Sequence, residues 1–247
     1  MNRFWSLCLG TSLLFLTSCF DMLEEVHLNK DGSGKYAITM DMGGIFSNPF
    51  MKEALGEAMK SEGDKMGQNM MEMDTVINFG ESAQAKSLSA KEQKLLQQVV
   101  MNMKSSEKEG VMQIAMSIDF SSIDQLSEIS KVMKKVGDNQ GEGNEMAQMF
   151  GGGQFSDFGE LFAVKGKKQF SRLPTPSMQG LLDDETKDMM SMLLVGASYK
   201  TIYHMPGKVK KSTIPNSEID GSTVTVDQSL LDVVNQKVKL DGDIKYK

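Results

Sequence analysis

The chain has 247 residues, with 27 basic against 33 acidic side chains and a net charge of −6. That length allows a real apolar core, and the acidic balance excludes the basic face that a nucleic-acid partner requires. Cysteine is limited to Cys8 and Cys19 and histidine to His27 and His204, which rules out a disulfide framework or a cysteine-rich zinc site in the body.

The first eighteen residues read as a secretory signal. Arg3 supplies the positive start, and Phe4 to Leu16 form an apolar stretch too short for a permanent bilayer span. The four residues that follow into the body, Leu16, Thr17, Ser18 and Cys19, resemble the bacterial lipobox, in which leucine and two small residues precede an obligatory cysteine. The resemblance implies that residues 1–18 are removed, that the Cys19 thiol carries diacylglycerol and that Cys19 becomes the first residue. Two or three acyl chains, at about 0.8 kcal/mol per buried methylene, make an anchor that a single chain does not. The expected location is a bacterial cell envelope, with the body on a membrane and facing the periplasm or the outside. No later run approaches the length of a membrane-spanning helix.

Residues 19–136 read as an α+β part. In EEVHLNKDGSGKYAITMDM, Tyr36, Ile38, Met40 and Met42 alternate with smaller or polar residues, and Asp31-Gly32 supplies a hairpin turn. A calcium loop aligned on Gly32 puts His27 at a ligand position and Ile38 where a glutamate belongs, so the pattern fails. Asn48 and Pro49 open a predicted amphipathic helix bearing Phe50, Met51, Ala54, Leu55, Ala58 and Met59 on one face. DTVINF is a short strand. Ser89 and Glu92 form a capping box for a helix whose apolar stripe is Leu95, Leu96, Val99, Val100 and Met103. VMQIAMSIDF alternates over its whole length, and a second box, Ser122 to Gln125, starts a helix with Ile123, Leu126, Ile129, Met133 and Val136 inward.

Residues 137–159 are rich in Gly, Asn and Gln and read as a flexible loop or linker, or as a lid carrying Phe150, Phe155 and Phe158. Residues 160–247 read as a β-rich part packed with 19–136 into one body. Its elements are the segment ELFAVKGKKQFSRL, a helix around Asp183 to Leu194, and strands at Ala197–Met205, Val209–Ile214, Ser222–Gln228 and Lys237–Tyr246. The half-polar strands favour an antiparallel or mixed sheet with amphipathic helices on one face, an α+β fold. Tyr203, Pro206, Gly207, Val209, Gly221, Thr223 and Val224 carry a strand, Pro-Gly turn, strand and glycine turn. This C-terminal stretch resembles LppM-like envelope lipoproteins, which implies an envelope protein without assigned chemistry.

Methionine, at 22 residues, is the compositional oddity. Clusters such as Met40-x-Met42 and Met101-x-Met103 suit either a flexible apolar core or, as an alternative, soft Cu(I) ligation. His27 and His204 sit between apolar strand residues, and no metal role is assigned to them. The chain lacks a nucleophile elbow, a metal-binding helix motif and a phosphate loop. Basic clusters at Lys165 to Lys168 and Lys208 to Lys211 read as wet strand or turn faces. The expectation is a lipid-anchored, non-enzymatic protein that binds an apolar ligand or a protein partner and needs no cofactor. A carboxylate-dependent envelope enzyme is the remaining alternative.

Overall fold

The computed structural model describes residues 20–47, 49, 52–53, 71–82, 84–138, 157–174, 191 and 194–247. The signal segment, Leu16, Thr17, Ser18 and Cys19 lie outside the described residues, as do 139–156 of the expected loop and most of the helix expected around Asp183. Of the helix expected after Asn48, only Pro49, Lys52 and Glu53 are described, and all three are helical.

The expected hairpin forms from β1 (Asp21–Leu28) and β2 (Gly34–Asp41), antiparallel from Asp21↔Asp41 to Leu28↔Gly34. Asp31 closes the turn by accepting bonds from the Ser33 amide and hydroxyl at 3.1 and 2.7 Å, beside Gly32 at φ +89°. A left-handed residue of this kind costs glycine nothing sterically.

Next come β3 (Glu72–Asn78), α1 (Ala90–Leu96), β4 (Val99–Ser106) and β5 (Val111–Phe120). The Ser89–Glu92 capping box is present, but α1 stops at Leu96. Val99, Val100 and Met103, expected on the helix stripe, instead belong to β4. Two β-branched residues in a row favour extended chain. From there Val99 and Met101 face inward while Asn102 and Lys104 are exposed, a period of two that pairs in register with β5. In α2 (Ile123–Asp138), Ser122 Oγ caps the Gln125 amide at 3.2 Å, and Ile123, Leu126, Ile129, Met133 and Val136 are buried as the periodicity predicts.

The C-terminal part supplies β6 (Phe162–Lys165), β7 (Gln169–Arg172), β8 (Ser198–His204), β9 (Val209–Ser212), β10 (Glu218–Asp220), β11 (Thr223–Ser229), α3 (Leu230–Val234) and β12 (Gly242–Tyr246). β12 is shorter than the strand expected from Lys237, and β10 and α3 have no counterpart in the sequence reading. Among the described residues the strands form an eight-stranded sheet, ordered β10-β11-β8-β1-β2-β5-β4-β3, and a four-stranded sheet, ordered β6-β7-β12-β9. β1 and β8 run parallel; their neighbours pair antiparallel, so the larger sheet is mixed and the fold is α+β. One core joins the inner faces of both sheets with α1 and α2.

Gly34 opens β2 against the other strand of the hairpin. A Cβ there would collide with the His27 carbonyl oxygen and lie 2.5 Å from Phe120 Cζ. Gly34→Ala is expected to cost about 1–3 kcal/mol of stability, measured by urea unfolding. Unchanged stability would mean that the hairpin is not packed this tightly.

Candidate functional site

The inner phase of β1 reads Met22, Glu24, Val26, Leu28, so a carboxylate stands where an apolar side chain is expected. Glu24 is 1% exposed and meets Arg172 of β7, which is 3% exposed. Arg172 Nη1 donates to both Glu24 oxygens, at 2.7 and 2.6 Å, and the Tyr199 hydroxyl donates to Glu24 Oε2 at 2.5 Å. The guanidinium carbon sits 5.0 Å from the centroid of the Phe162 ring. Around this pair the rings of Phe158, Tyr36, Phe162, Phe170 and Tyr203 pack in sequence at 5.2 to 5.7 Å. Burial is the largest influence on Arg172 and works against its charge, yet the Glu24 carboxylate, Tyr203 and Tyr199 together outweigh it and hold Arg172 well above its usual range. Arg172 Nε is the one buried side-chain polar atom without a hydrogen-bond partner among the described residues. Two desolvated charges in this setting gain little net stability, while either one left alone is costly.

The opposite face of the same strands carries a second cluster. β1 turns Glu25 and His27 outward, and β8 turns His204 outward directly across from His27 in the parallel register. The two imidazoles stack with centroids 3.9 Å apart and planes 15° from parallel. Glu25 Oε1 stands 4.0 Å from His27 Nε2 and 3.7 Å from His204 Nε2. Thr223 Oγ1 of β11 lies 3.5 Å from His204 Nδ1. Partial burial, then the neighbouring His204 charge, lowers the His27 pKa from its usual value. The group offers two imidazole nitrogens and a carboxylate oxygen, all within 4.8 Å of one another, and it is half open to solvent.

No family model, curated protein or solved structure matches this chain. The site is therefore read from its own geometry. The structure brings together His27 and His204, which the sequence leaves as unconnected strand residues. Sequence reasoning also missed Glu24 and Arg172, although each puts a charge in the apolar phase of its strand. Met40, Met42, Met101 and Met112 are core side chains in a second apolar cluster with Ile45 and Ile114, and Met22, Met71 and Met103 pack against it. Phe158, one of the aromatics of the suggested lid, is buried against Tyr36; Phe150 and Phe155 lie outside the described residues. The two lysine clusters meet at one end of the smaller sheet, where the Tyr246 amide bonds the Lys168 carbonyl and the Lys247 amide bonds that of Lys208.

The buried network makes a pH prediction. The chain has four tyrosines, Tyr36, Tyr199, Tyr203 and Tyr246, and burial raises all four above the ordinary phenol value. The Glu24 carboxylate adds to this at Tyr36, Tyr199 and Tyr203. A folded pKa raised above the unfolded value contributes stability that is complete below about pH 10 and is lost as pH rises beyond it. Phenolate ionisation of Tyr36, Tyr199 and Tyr203 in the native protein is expected only together with unfolding, so the native absorbance rise lags well behind that of the unfolded chain. A smooth titration of all four tyrosines centred near about pH 10 in folded protein would contradict the network.

Proposed function

We propose that this is a bacterial envelope lipoprotein, cut before Cys19 and anchored by acyl chains on that residue, with a body that performs a non-enzymatic binding role. The observation that carries the reading is the distance between the cysteine and the fold. Asp21, two residues after Cys19, already begins β1, which pairs with β2 on one side and β8 on the other. Phe20 and Met22 pack against both apolar clusters. A cut beyond β1 would remove a central strand, which supports a signal ending upstream of Asp21, where the sequence resembling a lipobox lies.

The same proximity gives the tether little slack. Acylation at Cys19 would hold the Asp21 end of the sheet at the bilayer surface, with the methionine-rich cluster beside it, because Met22 pairs with Met40 and the Met42 amide bonds the Met112 carbonyl. Methionine side chains re-pack around varied apolar shapes, which suits an apolar ligand or a hydrophobic segment of a partner protein. Cys19→Ala is expected to abolish partition into membranes and to remove the mass of two or three acyl chains from the extracted protein. Membrane fractionation and intact-mass measurement check this; unchanged partition and mass would refute the anchor.

A further inference from the structure

We propose that Glu25, His27 and His204 bind one divalent transition-metal ion of the zinc class on the solvent-facing side of the larger sheet. The inference does not depend on the lipid anchor. It begins from placement: the chain has two histidines, and the fold sets them directly opposite each other on adjacent parallel strands with a carboxylate between their Nε2 atoms.

The donor set selects the ion. Calcium and magnesium want a shell of oxygens, whereas two imidazoles and one carboxylate suit zinc, nickel, copper or ferrous iron. Three protein ligands with an open fourth position are the arrangement of zinc sites that leave room for a water or substrate. Ligand atoms in a tetrahedral zinc shell stand about 3.3 Å apart, given metal–ligand bonds of about 2.0–2.1 Å. The observed separations of 3.7 and 4.0 Å from the Glu25 oxygen are close to that value, and ligation requires the two stacked imidazoles to turn out of their parallel arrangement so that both Nε2 lone pairs point at one ion. Glu25 and His204 are half-buried at the sheet surface, and β1 and β8 are held by strands on both sides, so the backbone that presents the ligands is rigid.

Two neighbours act on the site in opposite directions. Thr223 Oγ1, at 3.5 Å, can accept a hydrogen bond from His204 Nδ1–H, which leaves the Nε2 lone pair free for the ion. Such outer partners fix the tautomer of a ligating histidine. Lys35 is paired with His27 across the β1–β2 hairpin, and its cation opposes a metal charge. The fourth coordination position faces solvent, where water or a group from a bound partner can fill it.

The test uses the full chain in detergent, stripped of metal with a chelator and then titrated with zinc chloride, with retained zinc measured after dialysis. Cobalt chloride gives a parallel spectroscopic readout, since imidazole ligation at tetrahedral Co2+ produces visible absorption. One equivalent is expected. His27→Gln and His204→Gln should each weaken binding by at least about 100-fold, and Thr223→Val by about 10-fold, in line with losing a ligand against losing its orienting partner. Lys35→Gln should tighten binding, an outcome that misfolding cannot imitate. Absence of saturable one-to-one binding, or affinities unchanged in the histidine variants, would overturn the site.

Discussion

The Glu24–Arg172 ion pair is the constraint on which the arrangement of this protein turns. It is buried, it joins β1 of the larger sheet to β7 of the smaller one, and the Tyr199 hydroxyl from β8 completes it. Three strands that are remote in sequence are thereby tied at one point. Because side chains alternate along a strand, fixing Glu24 inward fixes Glu25 and His27 outward, and fixing Tyr199 and Tyr203 inward fixes His204 outward. A one-residue slip in β1 would bury His27 and expose Glu24, stranding Arg172 in an aromatic surround. The outer cluster thus inherits its register from the inner one.

This arrangement gives the body two chemically different ends along β1. At the Asp21 end lie Phe20, Met22 and the methionine-rich cluster; six residues further on, about 20 Å away in an extended strand, lie His27 and its partners. On the lipoprotein reading, the adaptable apolar end sits by the membrane and the polar ligand cluster points into the aqueous envelope. On that reading, a single strand, β1, runs from the anchored end to the outer cluster.

How much of this the sequence carries depends on how local each signal is. The β1–β2 hairpin, β5, the Ser89–Glu92 capping box, the Ser122 cap and the inward face of α2 rest on periods and turns within a few residues, and they stand in the structure where the pattern puts them, although the Gln125 side chain closes on Ser121 and not on Ser122. Val99, Val100 and Met103 fit a helical stripe and a strand phase alike, and pairing with β5 decided for the strand. Glu24 and Arg172 did leave a trace, as charges in apolar phases, but which charge meets which depends on the packing of one sheet on the other. The His27–His204 pairing was beyond reach because a parallel register between distant strands leaves no mark in either strand alone.

The most direct test of the account is a double-mutant cycle on Glu24 and Arg172, using Glu24→Gln, Arg172→Met and the pair together, with unfolding free energies from urea denaturation. Each single change leaves a buried polar group without its partner and is expected to cost about 3–5 kcal/mol. The double variant is expected to be less destabilised than the sum by at least about 1.5 kcal/mol. Single effects that add within about 0.5 kcal/mol would mean the two side chains do not meet. The tie between the sheets, and the strand phase that follows from it, would then be wrong.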